Sequence, residues 1–509
     1  MTPLTDSVRL RRAWRGISPV VPLLILAWFL YQPAETRPFD YVDFPENIVV
    51  LQDNDGFVAG IRALSEVYAN HGRWSPINTA SIAAQWTVFG SWTPGWQLTR
   101  FILMAVVTAL AFKLYRRLGL PAAAALAAVT VLVVSPPAAV GWLRLSTAES
   151  LCLLFVTLGC LAALAPAGRS TKVKLSAVLL ATVWTKEIAT AAFALPLLLA
   201  ICRQDDGSLG APRWNRHTLA LIGVSAVTLF IGALPVLGTL FSSPSDSFAM
   251  RYASTGLSPE DIFGASLAAW IPFAPVPERS MGELLIVGMA FLTLLVIGWR
   301  EALRPPETRT HRRVLLILAV LVPLLGAAVY APWPFYLLVY ALPFALAGAL
   351  LPGTATAGLI AAGTPGRVIA AFSIGIVISY GAAQSFNESA RTRALHRVVA
   401  ESVAHMSALH GVDSVFVEVA GSQFDPAGNF GPRFRRYARM LDASWPEVRD
   451  IPCGGPTLTG WNFVRLRLNV MCEADGGASD IVARYVRVTW PNPIPRADSV
   501  TATFTRGAQ

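Results

Sequence analysis

An acidic and aromatic stretch, FDYVDFPEN from Phe39 to Asn47, follows the first long apolar run of the sequence. If that run crosses a membrane, Asp40 and Asp43 stand at the membrane face, where partial desolvation raises the pKa of a carboxyl group. A carboxylate in this setting is suited to act as a general base that accepts a proton from an attacking hydroxyl. The alternative is a solvated loop without a chemical role, and the stretch taken alone favours that alternative.

Asp53 and Asp55 form a second acidic group in a D-x-D pattern. Oxygen ligands of this kind can hold a divalent cation, although a solvated turn is the more ordinary interpretation of so short a motif. The six histidines show no metal-ligand spacing. No glycine-rich phosphate loop or dinucleotide fingerprint stands in a suitable context. We therefore predict no cofactor, and keep a divalent metal only as an option at Asp53 and Asp55.

Lys186 and Glu187 interrupt an apolar segment in a chain where lysine is rare. A cation at the outer end of a short membrane helix can bind a lipid phosphate at the headgroup level. A local salt bridge that caps a turn is an equal alternative. Arg144 offers a second cation, which could pair either with phosphate or with nearby Glu149. Tyr336 lies in an aromatic group for which an interfacial belt is the first interpretation, and contact with sugar or lipid the second.

Composition indicates the class of protein to which these candidate residues belong. The chain has 509 residues, of which 54% are hydrophobic and 14% are charged, whereas a soluble domain carries roughly 25% charge. Long apolar stretches separated by short basic clusters indicate membrane spans. The net charge of +10 could suggest nucleic acid. We predict no nucleic-acid partner, because the basic residues cluster between apolar segments, where cytoplasmic loops are expected.

We predict a polytopic α-helical membrane protein with about eleven transmembrane helices. Segment 174–202 is assigned two short passes, since one helix would place Lys186 and Glu187 in mid-membrane. The N-terminus is then cytoplasmic and every basic cluster between passes lies inside, as the positive-inside rule requires. The arginine-rich, alanine-rich composition indicates a GC-rich bacterial genome, so the predicted location is a bacterial inner membrane. The predicted passes lie near 17–33, 97–115, 120–136, 148–166, 174–185, 188–202, 217–240, 281–299, 313–330, 335–351 and 368–384.

The domain prediction is a transmembrane domain over 1–385, with a large outer loop at 34–96, and a C-terminal extracytoplasmic domain over 386–509. In the loop, apolar spacing predicts an amphipathic helix over 56–70 and a second near 78–92. The polar C-terminal region is long enough to fold as a small α/β or α+β domain, and a disulfide between its two cysteines is one expectation for an extracytoplasmic location. Its predicted elements are helices near 388–409 and 432–443 and strands near 414–420, 463–471, 482–489 and 500–505.

The order of several short motifs over about residues 15–350 resembles a known family. These motifs are Asp43 and Phe44 after the first helix, HGRWSP (71–76), YRRLG (115–119), WLRLSTAE (142–149), TKEIA (185–189) and FYLLVYALP (335–343). The chain resembles the GT-C glycosyltransferases, multi-pass enzymes that use polyprenyl- or dolichyl-phosphate sugars, and within them the protein O-mannosyltransferase-like branch. The family often has two adjacent acids after the first helix, whereas Val42 precedes Asp43 here. That departure leaves Asp43, Asp40 and the Asp53/Asp55 pair open as the key acid.

The resemblance implies an inverting transfer of a hexosyl or pentosyl group from a polyprenyl-phosphate carrier in the membrane lipid. A loop carboxylate, Asp43 or Asp40, would deprotonate the hydroxyl of an extracytoplasmic acceptor, which could be a glycan, a lipid or a protein. Lys186 and Arg144 would stabilise the departing phosphate. Because the leaving group carries a single phosphate, the resemblance requires no metal.

A transporter or flippase of a lipid-linked or small solute is the main alternative. Transporters keep ionisable groups and broken helices at the bilayer midplane. The predicted passes are nearly free of charge at mid-depth, and the candidate site charges gather at the outer face, which favours interfacial chemistry. A non-catalytic assembly or sensor protein is a third interpretation, which predicts that the outer carboxylates can be neutralised without loss of function.

Overall fold

The computed structural model describes most of the helical part of the chain and the strands of its C-terminal region. The chain forms two compact units. The first comprises Met1–Gln32, Ser65–Ser81 and Thr99–Ser385, and the second Pro33–Leu64, Ile82–Leu98 and Phe386–Gln509. The described residues are 18–32, 44–54, 56–70, 73–143, 145, 148–166, 168–186, 188–242, 281–330, 341–408, 414–419, 430–440, 447–453, 463–468, 480–488 and 495–506.

Helices account for most of the described chain. Two short 3-10 segments, Ser18–Val20 and Ile188–Phe193, accompany them. In chain order the helices are α1 Val21–Tyr31, α2 Phe44–Gln52, α3 Phe57–Asn70, α4 Pro76–Phe89, α5 Thr93–Arg117, α6 Ala122–Val133, α7 Pro136–Leu143, α8 Glu149–Ala163, α9 Arg169–Thr185, α10 Ala194–Cys202, α11 Arg216–Ser242, α12 Met281–Ala302, α13 Pro306–Tyr330, α14 Leu342–Gly348, α15 Leu350–Ala361, α16 Thr364–Ser407 and α17 Phe430–Met440.

Five helical segments of the described chain are long and apolar enough to cross a membrane. Several of them expose large apolar side chains, among them Phe230, Val296 and Phe372, which are 61–70% exposed. Apolar surface on this scale is unusual for a soluble protein, and it identifies an integral membrane protein. The predicted count of about eleven passes stays a prediction. The five segments are Thr93–Arg117, Thr218–Pro235, Leu285–Ala302, Leu342–Ala361 and Thr364–Ser407.

The predicted division of segment 174–202 is visible in the backbone. Helix α9 ends at Thr185, and Lys186 leaves it in an extended conformation with φ −162° and ψ 114°. A 3-10 segment then leads into α10. The two apolar stretches are therefore separate helices, with Lys186 at the break. The orientation of these helices across the membrane stays a prediction.

The predicted pass at 335–351 is misplaced at its C-terminal end, because apolar helix continues through α14 and α15 to Ala361. The proline, glycine and other small residues of α15 look like a loop in sequence, yet almost all residues of this helix are buried. A Cβ added at Gly298 of α12 would lie 2.5 Å from the Ala355 carbonyl oxygen, and one at Gly358 would clash with the Gly298 backbone. Small residues therefore bring α12 and α15 into backbone contact, as they do between helices in membranes.

This close approach leads to a testable expectation for Gly298. Replacement by valine should destabilise the helical unit by about 1–3 kcal/mol, because the added side chain forces α12 and α15 apart. Gly288 is the matched control on the same helix, since a Cβ there meets nothing within 4 Å. The unfolding temperatures of the two purified variants in detergent provide the measurement. Equal losses for Gly298→Val and Gly288→Val would contradict the packing account.

The C-terminal strands form a mixed five-stranded sheet in the order β2-β1-β3-β5-β4. Strand β1 runs parallel to β2 and β3, whereas β5 runs antiparallel to β3 and β4. Val415, Val417, Val464 and Leu466 alternate along β1 and β3 and are fully buried, so they form the core face of the sheet. The strands are β1 Ser414–Val419, β2 Glu447–Pro452, β3 Phe463–Leu468, β4 Ile481–Val488 and β5 Pro495–Arg506.

Two features of this region differ from the sequence prediction. Strand β2, with the sequence EVRDIP, was not predicted, because it is a charged strand at the sheet edge, where the apolar alternation is weak. The predicted pass 368–384 and the predicted helix 388–409 form the single helix α16. Its 44 residues span about 66 Å at 1.5 Å per residue, whereas the apolar core of a bilayer is about 30 Å thick.

The cysteines follow the predicted division between packing and oxidised residues. Cys152, Cys160 and Cys202 are buried and take part in no disulfide. Cys453, which directly follows β2, is disulfide-bonded, and its predicted partner Cys472 lies outside the described residues. A disulfide at Cys453 is typical of a region that folds in an oxidising compartment.

Candidate active site

A buried ion pair joins Lys186, at the end of α9, to Glu149, the first residue of α8. The Lys186 ammonium nitrogen donates directly to Oε1 of Glu149. The Glu149 side chain is 1% exposed and the Lys186 side chain is 11% exposed. The first turn of a helix favours a negative charge, because the backbone N–H groups there point toward it. The pair therefore links the break after α9 to the start of α8, with the ammonium as its more accessible member.

Glu149 has hydrogen-bonding capacity that the described residues leave unused. Its Oε2 atom is buried and has no hydrogen-bond partner among the residues that the structure describes. A buried acceptor left unsatisfied costs about 1–3 kcal/mol, so such an atom marks a place where a further donor is expected. Candidates for that donor include water and the segment 144–147, of which only Leu145 is described.

Arg100 contacts the backbone at Leu145, four residues before Glu149. Its guanidinium, on α5, is buried to 6% exposure and donates to the carbonyl oxygen of Leu145. Leu145 lies between the predicted phosphate ligand Arg144 and Glu149. No such role for Arg100 was predicted from the sequence, although a charged side chain inside an apolar helix is itself a signal of function or of a specific partner.

Four aromatic rings surround the end of α7, which leads to Arg144. Trp142 stacks on Tyr31 with ring centroids 5.3 Å apart and planes 8° apart. Phe101 lies 5.3 Å from Trp142 in a tilted arrangement, and Trp28 meets Phe101 edge-on at 5.1 Å. The Tyr31 hydroxyl donates to the Val133 carbonyl oxygen at 2.9 Å. These contacts join α1, α5, α6 and α7.

In the second compact unit, the acidic stretch continues into helix α2, which the sequence analysis treated as loop. Ile48 and Leu51 are fully buried and Asn47 is 2% exposed. The Asn47 amide nitrogen has no hydrogen-bond partner among the described residues. Because Phe44 is the first residue of α2, the predicted base Asp43 directly precedes the helix. The position of α2 therefore limits where Asp43 can lie.

The acidic side chains on α2 and just after it pair with arginines of α17. Glu46 Oε2 lies 2.9 Å from Arg436 Nη1. Both Asp53 oxygens accept from Arg439 Nη2, at 3.1 and 2.8 Å. The Asp53 carboxylate is thus engaged by a guanidinium, and a metal at Asp53 and Asp55 stays an untested prediction. Among the described residues no group of three or more potential ligands could hold a metal ion.

The remaining predicted site residues lie outside the described part of the chain. They are Asp40, Asp43, Asp55, Arg144, Glu187 and Tyr336, and their roles stay predictions. The structure brings together Lys186 and Glu149, which the sequence analysis had considered with other partners. Their separation of 37 residues explains why local spacing could not indicate the pair.

Comparison with known proteins gives structural matches only. No family model matches the chain, and no curated protein matches it. The chain is structurally similar to the arabinofuranosyltransferase AftD from Mycobacteria, with a TM-score of 0.45 and 14% identity over 97% of this chain. It spans 40% of the length of AftD. It is also similar to ArnT from Cupriavidus metallidurans bound to undecaprenyl phosphate, with a TM-score of 0.48 and 14% identity over 96% of this chain and 98% of ArnT.

One of these matched proteins is named as a glycosyltransferase, and the other was captured with a polyprenyl phosphate. The protein O-mannosyltransferase-like branch stays a prediction. At TM-scores below 0.5 the likeness assigns neither an activity nor individual residues to this chain.

Proposed function

We propose that the chain is a membrane glycosyltransferase that moves a hexosyl or pentosyl group from a polyprenyl-phosphate carrier to an extracytoplasmic acceptor. The observation that supports it most directly is the Lys186–Glu149 pair, an ion pair held inside an apolar helical unit. Buried ionisable groups in such surroundings are costly, and they are by default candidates for a functional role. Glu149 holds the ammonium in place while leaving it the more accessible partner, as a cation that meets a lipid phosphate must be.

The proposed reaction uses residues that are predicted on the outer side of the membrane. A loop carboxylate, Asp43 or Asp40, accepts the proton of the acceptor hydroxyl. The hydroxyl oxygen attacks the anomeric carbon from the face opposite the carrier, so the bond from that carbon to the phosphate oxygen breaks with inversion. The polyprenyl phosphate leaves with the electron pair. Lys186 and Arg144 stabilise its negative charge through charge-assisted hydrogen bonds.

The proposed location is a bacterial inner membrane, with the N-terminus in the cytoplasm and the C-terminal region outside. The disulfide at Cys453 supports this side for the C-terminal region, because disulfides persist in the periplasm and are rare in the cytosol. The acidic stretch and the break at Lys186 are predicted on that same side. A donor delivered by the membrane and an acceptor from outside would then meet at the outer surface.

A lipid-binding measurement tests the proposal. Undecaprenyl monophosphate should raise the unfolding temperature of the purified protein in detergent, whereas undecaprenol, which lacks the phosphate, should not. A free lipid concentration of 100 times Kd corresponds to about 2.7 kcal/mol of stabilisation. The same preparation in proteoliposomes should transfer radiolabelled sugar from a polyprenyl-phosphate donor.

Two outcomes would count against the proposal. Equal stabilisation by the phosphate and the alcohol would show that the lipid chain alone is recognised. Movement of the lipid-linked sugar across the proteoliposome membrane without any sugar transfer would show that the protein acts as a flippase and not as a glycosyltransferase.

A further inference from the structure

We propose that Arg436 and Arg439 of helix α17 are positioning residues for the sugar transfer. They hold helix α2 in place, and α2 directly follows the predicted base Asp43. The inference rests on the proposed function, since it assigns a role in that reaction to residues of the C-terminal region. It names no substrate contact for either arginine, because both act through α2.

The contacts between α2 and α17 form a three-point clamp. Glu46 pairs with Arg436 at 2.9 Å. Both carboxylate oxygens of Asp53 accept hydrogen bonds from Arg439 Nη2, at 3.1 and 2.8 Å. Next to the Asp53–Arg439 pair in sequence, the Gln52 side-chain amide donates to the Met440 carbonyl oxygen at 3.3 Å. Each contact joins residues more than 380 positions apart in sequence, as the 388-residue separation of Gln52 and Met440 illustrates.

The helical spacing of the charged residues indicates that the clamp joins one side of α2 to one side of α17. Glu46 and Asp53 are seven residues apart, so they lie two turns apart on one side of α2 and its C-terminal end. Arg436 and Arg439 are three residues apart, so their side chains share one side of α17. A clamp built on two matching faces sets both the position of α2 along α17 and its rotation about its own axis.

Apolar packing holds α2 on another side. Leu51 is fully buried, and a Cβ added at Gly60 of α3 would lie only 2.6 Å from Leu51 Cδ2 and 3.6 Å from Ala83 of α4. The close approach that Gly60 permits places α2 directly against α3. The charged contacts with α17 therefore complete the support of a helix whose apolar side is already packed.

The exposure of the ion pairs separates their effect on folding from their effect on position. Arg439 and Asp53 are 62% and 52% exposed, and Arg436 and Glu46 are 41% and 27% exposed. Exposed ion pairs contribute little to stability, so their loss should leave the protein folded. Orientation is more sensitive, because a shift of about 1 Å in a catalytic group can lower a rate about 100-fold.

Charge reversal with a swap tests the clamp in the full-length protein. Arg439→Glu and Asp53→Arg, each alone, should lower kcat for sugar transfer by at least about 10-fold while changing the donor KM less than about 3-fold. Both should also raise amide hydrogen exchange in residues 44–52, because a released helix opens more often. The double variant Asp53→Arg/Arg439→Glu restores opposite charges and should recover both readouts.

Arg435 provides the matched control, since it lies on the same helix and its side chain is exposed. Arg435→Glu changes the net charge as Arg439→Glu does, and it should alter neither kcat nor hydrogen exchange. Increased exchange in 44–52 with an unchanged kcat would overturn the positioning role. Unchanged exchange in the single variants would overturn the clamp itself.

The failure of the proposed function would look different. A wild-type protein that transfers no sugar from any polyprenyl-phosphate donor would overturn the activity, and the positioning role with it. The hydrogen exchange of 44–52 would still respond to the charge reversals in that case, because it depends only on contacts within the second compact unit.

Discussion

Replacement of Asp43 by Asn is expected to lower kcat for sugar transfer by about 10²–10⁴-fold, the range that a general base contributes. The amide is nearly isosteric with the carboxylate but cannot accept the proton of the acceptor hydroxyl. Binding of undecaprenyl monophosphate should be retained, because the base is proposed to act on the acceptor. Steady-state transfer and the lipid-induced shift in unfolding temperature measure the two properties separately. Asp40→Asn is made in parallel, since the sequence leaves both residues open as the base.

The Asp53→Arg variant provides a comparison for Asp43→Asn, because only one of the two losses of activity should be reversible by a second substitution. Asp53→Arg is also expected to lower kcat, but through the released α2, so Arg439→Glu should restore its activity. No second substitution in α17 should rescue Asp43→Asn, because the missing group is the proton acceptor itself. Full transfer by both Asp43→Asn and Asp40→Asn would refute the assigned base. Rescue of Asp43→Asn by a clamp variant would reduce Asp43 to a structural role.

Replacement of Lys186 by Met is expected to destabilise the protein by about 3–5 kcal/mol, because it leaves the Glu149 carboxylate buried without its counter-charge. Glu149 is 1% exposed, so water cannot readily compensate. The double variant Lys186→Met/Glu149→Met removes both charges and should recover most of the lost stability, as apolar replacements of buried pairs often do. Thermal unfolding of the three proteins in detergent measures these differences.

The double variant also separates structure from ligand binding. If Lys186 contacts the phosphate of the carrier, the stable double variant should lose the stabilisation by undecaprenyl monophosphate and most of its transfer activity. Lys186→Arg keeps a positive charge and is expected to retain part of both. A stable double variant with wild-type lipid affinity and kcat would show that the pair serves only to join α8 and α9.

Much of the helical architecture followed from the sequence, because hydropathy and helical spacing are local properties. The amphipathic helices predicted at 56–70 and near 78–92 correspond to α3 and α4. The break at Lys186 was predictable because two adjacent charges interrupt an apolar segment and would otherwise lie in mid-membrane. Four of the five C-terminal strands were predicted from their apolar and β-branched residues, and α17 from its spacing.

The errors came where long-range packing overrides local pattern. Residues 352–361 look like a loop because they are rich in proline, glycine and small side chains, but contact with α12 requires those small residues in a helix. Strand β2 has weak apolar alternation and is defined by its pairing with β1. Helix α2 was missed because the charges near its ends suggested a solvated loop, whereas they pair with α17.

The sequence by itself determined that this is a membrane protein, where its apolar helices break, and which few charged residues could do chemistry. Only the tertiary structure decided which of those charges meet. Lys186 pairs with Glu149, 37 residues away, and Asp53 with an arginine 386 residues away. Hydropathy and periodicity act between near neighbours in sequence, whereas an ion pair forms wherever the folded chain brings two charges within a few ångströms. That distance depends on the packing of every element between them.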